Sequence, residues 1–281
     1  MSDPAPVVAL ADAHLQTICE FVYSRSGMSY GEAKRYYIER RVADQMGRAG
    51  AASFPAYMAL LRADPAVAQR LINSFTVNET YFYREEHQLA CMGNALLPEI
   101  VANRGPGDLV RIWSVPCASG EEPFSVAIWL LENWRLVDAY NIEIVGSDID
   151  TKALAEAAAG EYGARALARL PPHVRDRYFE LPRGGRRRII QDLCESVHYT
   201  PVNIIDSASV AAHGKFDIIF CRNVLIYFDD AARLEATNNL FSALNPGGFL
   251  CLGHAESMAR ISDRFDKRRF ADAVVYQRPA P

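Results

Sequence analysis

The chain has 281 residues, half of them hydrophobic, and its 30 lysine and arginine residues against 34 aspartate and glutamate residues give a formal net charge of −4. This length suits one large or two ordinary domains with a sizeable core, and the acidic balance argues against a general nucleic-acid-binding protein. No apolar run approaches the length of a membrane span, and residues 1–4 lack the charged and apolar regions of a signal peptide, so we expect a cytoplasmic protein without membrane insertion.

The cysteines do not show a spacing typical of metal ligands. The chain has six, with no Cys-x-x-Cys pair and no cysteine and histidine spacing that suits zinc. Most lie in apolar segments, as reduced cysteines in a protein core do. We therefore predict no metal site and expect packing thiols at Cys19, Cys91, Cys117, Cys194, Cys221 and Cys251.

A helical hydrophobic pattern fills residues 12 to about 75. It is carried by Leu15, Ile18, Cys19 and Val22, which fall three and four residues apart, and by Val67, Leu71 and Phe75, which recur every four residues. Gly50, Pro55 and Pro65 separate the segment into short helices. We predict a small all-α N-terminal domain over residues 1–80 and a larger domain over residues 81–281, because the pattern changes between residues 75 and 100.

From Leu109 onward, short β-rich runs alternate with helical segments, which predicts an α/β fold with a parallel sheet and crossover helices. Strands are predicted near residues 111–115, 142–148, 216–221, 249–252 and 273–276. Helices are predicted over residues 151–159 and 230–244, and residues 245–248 end the second of them.

One segment interrupts this alternation. Residues 175–196 hold the run Arg-Gly-Gly-Arg-Arg-Arg between two short apolar stretches, which is typical of a β-hairpin. We predict a small β-subdomain inserted here. The simpler interpretation of its arginines is a solvated turn formed by Arg183, Arg186, Arg187 and Arg188.

The first predicted strand leads into a loop and a helix start with two carboxylates, Glu121 and Glu122. A helix start offers unpaired N–H groups and a partial positive charge, and many α/β proteins bind a phosphate there. Two glutamates would repel a phosphate, and Gly120 alone does not supply the glycines of a dinucleotide-binding loop. The loop therefore favours a ligand that lacks phosphate or carries positive charge. The alternative is that the glutamates only complement the helix dipole and Pro123 only fills the first turn, and the loop by itself favours that alternative.

A further acidic position follows the next strand. Asp148 is expected at the carboxyl end of that strand, where an acidic side chain accepts hydrogen bonds from both hydroxyls of a ribose. Asp150 is the better candidate for capping the helix that follows, so we assign Asp148 to ligand binding. An adenosine-containing molecule without phosphates fits both this position and the acidic loop.

Six segments, taken in their order and spacing, resemble the CheR family of chemotaxis receptor glutamate methyltransferases. They are residues 78–84, 113–123, 147–150, 201–204, 220–229 and 246–257. The resemblance covers nearly the whole chain and implies a Rossmann-like S-adenosylmethionine-dependent methyltransferase sheet, with a small all-α N-terminal domain and a small β insertion. It implies transfer of a methyl group from S-adenosylmethionine to receptor glutamates, which forms methyl esters for sensory adaptation and leaves S-adenosylhomocysteine.

The resemblance also implies which residues meet the cofactor. Glu122 and Asp148 would hold it, and Asn78, Thr80 and Arg84 would line the mouth of the site. The remaining contacts would come from Asn203, Ile204, Asn223 and Val224.

Two of the implied site residues would be catalytic, namely Arg84 and Tyr227. Arg84 would hold a substrate carboxylate in a fork of donors, and Tyr227 would lie near the transferable methyl group. Without the resemblance, the residues alone favour a helix cap for Asn78, a surface charge for Arg84 and a packed strand end for Tyr227.

As a partner, the resemblance implies the acidic, helical cytoplasmic region of a chemoreceptor. A helix predicted over residues 30–46 offers a basic surface for it. This surface comprises Lys34, Arg35, Arg40 and Arg41, with Arg48 just past the helix end. The alternative is a solvated helix whose Glu32 and Glu39 offset those charges. We expect a monomer and no nucleic-acid partner.

The resemblance leaves several points open. Val115 and Pro116 stand where members commonly have small residues, which would stiffen the loop. The turn at Gly184 and Gly185 looks shorter than in members that bind a peptide at the receptor C-terminus, so peptide-dependent docking is not predicted. A methyltransferase for a small molecule or RNA, and a non-catalytic sensor of the adenosyl cofactor, also stay open as alternatives.

Overall fold

The computed structural model describes residues 10–280, so the expectation drawn from residues 1–4 lies outside the described residues. The described chain opens with the predicted helices, which are α1 (Asp12–Ser26), α2 (Arg35–Arg48), α3 (Phe54–Ala63) and α4 (Pro65–Phe75). Ser53 and Asp64 cap α3 and α4 by accepting hydrogen bonds from backbone N–H groups, and a proline follows each cap within the first turn.

The helix predicted over residues 30–46 begins later than expected. A short 3₁₀ turn (Glu32–Lys34) precedes α2, and α2 ends at Arg48. The delay has a tertiary cause, because Met28 forms a β-bridge with Phe228 and the Ser29 N–H donates to the Tyr227 carbonyl over 2.9 Å. These contacts hold the chain extended just before the helix. Arg48 is therefore the last residue of α2 and does not lie past its end.

The predicted α/β architecture is confirmed as a seven-stranded sheet with strand order β5-β2-β1-β6-β7-β9-β8. Neighbours among the first five strands in this order are parallel, and β9 pairs antiparallel with both β7 and β8. The strands are β1 (Leu109–Ser114), β2 (Asn141–Asp148), β5 (Val197–Pro201), β6 (Phe216–Cys221), β7 (Leu244–Leu252), β8 (Asp266–Arg269) and β9 (Val274–Gln277).

Further helical segments precede β1 or connect the strands. They are α5 (Glu86–Cys91), a π-helical segment (Met92–Leu96), α6 (Leu97–Val101), α7 (Glu121–Asn133), a 3₁₀ turn (Val137–Ala139), α8 (Thr151–Ala159), α9 (Pro172–Tyr178), α10 (Gln191–Glu195), α11 (Ser207–Ala211), a 3₁₀ turn (Leu225–Tyr227) and α12 (Asp230–Ala243). The predicted helix stop at residues 245–248 is confirmed, and those residues already belong to β7. Among residues 10–280, no helix has the length and apolar character needed to cross a membrane.

The inserted β-structure extends beyond the predicted residues 175–196. Gly184 and Gly185 form its turn with φ angles of 57° and 77°, which suit glycine. The strand after the turn, β4 (Arg186–Arg188), pairs antiparallel with β3 (Glu161–Gly163). The predicted hairpin is present only as isolated bridges between Phe179 and Ile189 and between Arg183 and Arg186. The longer strand pairing uses a segment that lies before the predicted bounds.

The N-terminal helices share a hydrophobic core with the sheet. Ile18 on α1 and Leu71 on α4 belong to the same buried cluster as Phe216 and Leu250 of the central strands. A second buried cluster on the opposite face includes Phe124 of α7. Each fully buried side chain of this size contributes about 1.5–3 kcal/mol of transfer free energy, so the helical layer is firmly attached to the sheet. The domain boundary near residue 80 stays a prediction.

Candidate active site

One cavity lies at the edge of the sheet where the parallel strands end. The register pairs Ser114 of β1 with Gly146 of β2 and with Phe220 of β6, so the carboxyl ends of these strands meet there. The structure brings every predicted site residue to this cavity. Its lining includes Asn78, Thr80, Arg84, Glu122, Asp148, Asn203, Ile204, Asn223, Val224 and Tyr227. Their individual roles stay predictions.

The loop between β1 and α7 turns sharply at Gly120, whose φ is 92°. A Cβ atom at this position would lie 2.7 Å from the Tyr199 hydroxyl oxygen and 2.8 Å from the Ala157 Cβ, so a side chain does not fit. The two glutamates that follow have different surroundings. Glu122 lines the cavity, whereas the Glu121 carboxylate is buried and accepts a 2.8 Å hydrogen bond from the Ser119 hydroxyl. The predicted acidic pair therefore presents one carboxylate to a ligand.

Glu122 is held by a cation that the sequence reasoning did not assign. Its Oε1 accepts a 2.7 Å hydrogen bond from the Ser114 hydroxyl, and its Oε2 accepts one of 2.6 Å from Arg222 Nη1. Burial raises the pKa of Glu122, and the charge of Arg222 opposes that rise. A carboxylate in this position is suited to bind a positively charged group, because a ligand cation would further offset the cost of its burial.

Arg222 also connects Glu122 to the segment that carries Arg84. Its Nη2 donates to the Arg84 carbonyl over 2.8 Å and lies 3.1 Å from the Glu85 carboxylate. Although burial favours a raised pKa for Glu85, Arg222 and the hydrogen bond from His254 outweigh it and lower that pKa. The only sequence signal for Arg222 was its place inside the motif at residues 220–229.

Asp148 lies at the carboxyl end of β2, as predicted, and is 3% exposed. Its two oxygens accept 2.8 Å hydrogen bonds from the backbone N–H groups of Ala118 and Asp150. Burial raises its pKa to about 6 against these hydrogen bonds. Each carboxylate oxygen retains a second lone pair, so Asp148 is able to accept further hydrogen bonds from a diol.

Asp150 caps α8, as predicted, and also contacts the cavity wall. Its Oδ1 accepts hydrogen bonds from the N–H groups of Lys152 and Ala153. Its Oδ2 accepts hydrogen bonds from the Thr76 hydroxyl over 2.6 Å and the Asn78 amide over 2.7 Å. Asn78 is therefore tied to a helix cap and is not itself one.

The side-chain amides of Asn203 and Asn223 also line the cavity, and their surroundings differ from those of Asn78. The Asn203 side chain donates to the Arg25 carbonyl at the end of α1 over 2.9 Å, which joins the cavity wall to the helical layer. Asn223 has a φ of 62°, a left-handed conformation that asparagine tolerates better than most residues. Ile204 and Val224 follow these two asparagines in the chain and add apolar wall.

Arg84 and Tyr227 share the cavity with the two acidic positions. Arg84 lines the cavity, and its Nη1 donates to the Glu79 carbonyl over 2.7 Å. Burial raises the pKa of Tyr227, with Tyr37 adding to the rise and Arg84 opposing it, so the phenol stays protonated near neutral pH. The Lys34 ammonium lies 5.9 Å from the centre of the Tyr227 ring.

The predicted basic surface is only partly available to a partner. Arg35 forms ion pairs with Asp12 and Glu39, and Arg48 forms one with Asp44. The Arg41 guanidinium stacks 3.3 Å from the centre of the Tyr37 ring and donates to the Ser74 carbonyl. Lys34 and Arg40 are exposed. The surface open to an acidic partner is thus smaller than the sequence indicated.

Comparison with known proteins gives matches over nearly the whole chain. Residues 78–274 match the family model described as CheR methyltransferase, SAM binding domain, and residues 13–76 match CheR methyltransferase, all-alpha domain. Chemotaxis protein methyltransferase 2 of Vibrio cholerae serotype O1 is 41% identical over 274 residues, which cover 97% of this chain and 95% of that protein. Chemotaxis protein methyltransferase of Klebsiella aerogenes is 36% identical over 270 residues, covering 94% and 90%.

Proposed function

This chain belongs to the CheR methyltransferase family, and we propose that it methylates glutamate side chains of chemoreceptors, forming methyl esters. Its cofactor is S-adenosylmethionine, the ligand of the SAM binding domain that residues 78–274 match. The observation that carries the proposal is one cavity in which the partly buried carboxylate of Glu122 and the buried carboxylate of Asp148 face the same space as Arg84 and Tyr227. The first pair suits a cationic, phosphate-free nucleoside, and the second pair suits a carboxylate acceptor.

The cofactor, when bound, supplies a methyl group activated by a sulfonium charge. Glu122 would hold its amino group, because a carboxylate paired with only one arginine is suited to accept another cation. Asp148 would accept hydrogen bonds from the ribose hydroxyls. It would use the lone pairs that do not already accept from the N–H groups of Ala118 and Asp150. The donor set of the cavity therefore fits this ligand.

The acceptor needs orientation more than activation. A glutamate side chain has a reference pKa of about 4.3 and is ionised at neutral pH, so no general base is required. Arg84 would bind one oxygen of that carboxylate and leave the other to attack, and positioning of this kind supplies up to roughly 7–11 kcal/mol. The protonated hydroxyl of Tyr227 would contact the reacting groups without adding charge.

We further propose that the receptor docks on α2 and the 3₁₀ turn before it. Lys34 and Arg40 are exposed there and would attract an acidic helix. Lys34 also lies beside Tyr227, so the docking surface borders the cavity. A methyltransferase that acts on a small molecule would not need this surface.

The first test uses radiolabelled S-adenosylmethionine, the full chain and a purified chemoreceptor cytoplasmic fragment, followed by mapping of base-labile methyl esters. Label on receptor glutamates is expected. Label on RNA or on a small molecule, with none on receptors, would select the alternative reaction. Binding of S-adenosylhomocysteine without any methyl transfer would select the non-catalytic sensor.

The role of Arg84 is tested by comparing methyl transfer with cofactor affinity. Arg84→Ala is expected to lower kcat/KM for the receptor by about 10²-fold or more, since a lost positioning contact has effects of this size. The affinity for S-adenosylhomocysteine is expected to fall much less. Arg84→Lys, which keeps the charge but loses the fork of donors, is expected to lie between Arg84→Ala and the wild type. Equal losses of transfer and affinity would contradict the positioning role.

The docking surface is tested by charge reversal at Arg40, which is exposed and does not line the cavity. Arg40→Glu is expected to raise the KM for the receptor fragment and to make it less sensitive to salt, while leaving the affinity for S-adenosylhomocysteine unchanged. Arg135→Glu, an equal charge change at an exposed site after α7, is the matched control. The same response from both variants would argue against α2 as the docking site. Size-exclusion chromatography with light scattering tests the proposed monomer.

A further inference from the structure

The segment directly after β7 has no role in the proposed mechanism, yet its side chains reach the cavity loops. It runs from Gly253 to Ser257 and belongs to the last of the six sequence motifs. Its most connected member is Glu256, whose carboxylate accepts hydrogen bonds from three backbone N–H groups. These are Asn223 over 2.7 Å, Leu225 over 2.8 Å and Gly253 over 2.9 Å.

The three donors belong to two separate loops. Oε2 accepts from Asn223 and from Gly253, and Oε1 accepts from Leu225. One carboxylate therefore joins the loop after β6 to the loop after β7. Hydrogen bonds from N–H groups to an ionised carboxylate are stronger than neutral ones, so this junction is well suited to fix the relative position of the two loops.

The part of the first loop that Glu256 holds carries three of the proposed site residues. Asn223 and Val224 line the cofactor cavity, and the 3₁₀ turn that begins at Leu225 ends at Tyr227. Asn223 has a left-handed φ of 62°, which is less favourable than helical or extended backbone for a residue other than glycine. A conformation of this kind persists when surrounding contacts determine it, and Glu256 supplies such contacts on both sides of Val224.

The lack of a side chain at Gly253 allows this arrangement. A Cβ atom on Gly253 would lie 2.7 Å from the Asn223 amide nitrogen Nδ2, 2.9 Å from Glu256 Oε2 and 3.0 Å from the Asn223 backbone nitrogen. A side chain at this position would therefore displace the Asn223 amide group or the Glu256 carboxylate and would lie tightly against the Asn223 backbone, which would disturb the junction. The absence of a side chain at Gly253 and the carboxylate of Glu256 both allow the loop after β6 to lie close to the loop after β7.

We propose that Glu256 is a positioning residue that orients Asn223 and Val224 toward the cofactor and Tyr227 toward the acceptor by binding the backbone of their loop. Glu256 does not line the cavity and would act through the loop. The proposal rests on the proposed function for the roles of these three residues. The competing interpretation is that the hydrogen bonds of Glu256 only stabilise the fold and do not affect ligand binding or methyl transfer.

The test measures three quantities on the full chain for Glu256→Gln, Glu256→Ala and the control Glu235→Gln, which changes an exposed glutamate of α12. The first is the affinity for S-adenosylhomocysteine by calorimetry. The second is the melting temperature with and without that ligand. The third is the pair of values kcat and KM for receptor methylation at saturating S-adenosylmethionine.

Glu256→Gln replaces one acceptor oxygen by a donor and leaves the size unchanged, while Glu256→Ala removes all three hydrogen bonds. We expect affinity for S-adenosylhomocysteine to fall about tenfold in Glu256→Gln and further in Glu256→Ala, because the binding-competent loop becomes a minor state. The ligand-induced rise in melting temperature should shrink in the same order, and kcat should fall even at saturating cofactor. Glu235→Gln should match the wild type.

Two outcomes would overturn the proposal. One is a lower melting temperature in the Glu256 variants with unchanged affinity and unchanged kcat, as a purely stabilising role requires. The other is wild-type behaviour in every measurement. If Glu256→Ala does not fold, Glu256→Gln and Gly253→Ala provide the test, and Gly253→Ala is expected to weaken ligand binding in the same way. Failure of the wild type to bind S-adenosylhomocysteine would instead refute the proposed function.

Discussion

Lowering the pH is expected to weaken binding of S-adenosylhomocysteine, because Asp148 must be ionised to accept both ribose hydroxyls. Burial raises the pKa of Asp148 to about 6, although N–H groups of Asp150 and Ala118 stabilise the ionised form and oppose the rise. The charge of Asp150 adds to it. A raised pKa for an acid means that protonation occurs at a higher pH than usual, so the loss of affinity should begin near pH 6 and not near pH 4.

The size of the effect follows from the ionised fraction. With a pKa of about 6, that fraction is roughly one half at pH 6 and roughly one tenth at pH 5, so affinity is expected to fall about twofold and about tenfold relative to pH 7.5. Burial also raises the pKa of Glu122, which faces the same cavity beside Arg222, and this can only steepen the profile in the same direction. The amino group of the ligand stays protonated between pH 5 and pH 7.

The assay is isothermal titration calorimetry between pH 5 and pH 7.5, with circular dichroism to confirm that the protein stays folded at each pH. Asp148→Asn is the matched variant, because asparagine keeps the shape of aspartate but does not titrate. It should bind more weakly than the wild type at pH 7.5 and lose less affinity on acidification. An affinity that is equal at pH 5 and pH 7.5 in the wild type, or an equally steep profile in Asp148→Asn, would refute this account of Asp148.

The surroundings of Glu122, Arg222 and Phe82 lead to three further predictions. Glu122→Gln is expected to weaken S-adenosylhomocysteine binding about tenfold in calorimetry. Glu121→Gln should change it less than about twofold, because Glu121 lies outside the cavity lining. Equal effects would contradict the assignment of Glu122 as the carboxylate that faces the ligand. Arg222→Met should lower the free energy of unfolding by about 3–5 kcal/mol in urea denaturation, because it removes the buried cation that pairs with the largely covered carboxylates of Glu122 and Glu85. A loss below about 1 kcal/mol would speak against that pairing. Phe82→Ala, at a side chain that is 0% exposed and packed against other aromatic rings, should cost about 3–5 kcal/mol in the same assay, and a near-neutral result would contradict the packing.

Local signals made much of the fold predictable. The central strands were visible as apolar runs, because a parallel strand is buried on both faces. The helix α8 was predicted with its observed bounds, since Asp150 caps its start and Gly160, with a φ of 64°, ends it. Asp148 could be placed at a strand end for the same reason, as the hydrophobic pattern stops there.

The missed features depend on contacts between distant parts of the chain. The edge strand β8 (Asp266–Arg269) consists of charged residues and pairs only because β9 lies beside it. The β3–β4 pairing joins segments on either side of α9, and neither segment has a strong strand pattern. The late start of α2 is set by the contacts of Met28 and Ser29 with the loop that follows the Tyr227 turn.

Prediction of the candidate site was limited for the same reason, because some of its contacts join distant parts of the chain. Glu121 and Glu122 are adjacent in sequence, and one residue of helix rotates the side chain by about 100°, so only the fold decides which carboxylate faces the cavity. Arginine side chains are mostly exposed, yet Arg222 is buried and pairs with Glu122 and Glu85. A buried cation of this kind requires its anions to be close in space, which spacing along the chain does not reveal.

The contacts of the Tyr227 turn give a physical reason why receptor docking and methyl transfer would be coupled. The Ser29 N–H donates to the Tyr227 carbonyl, Met28 pairs with Phe228, and the Lys34 ammonium lies over the Tyr227 ring. The segment that leads into the proposed docking helix therefore supports the backbone of a proposed catalytic residue. Glu256 binds the beginning of the same loop, through the N–H groups of Asn223 and Leu225. An acidic receptor helix that binds Lys34 and Arg40 would thus contact the segment that supports Tyr227, at the end of a loop whose beginning is fixed by Glu256.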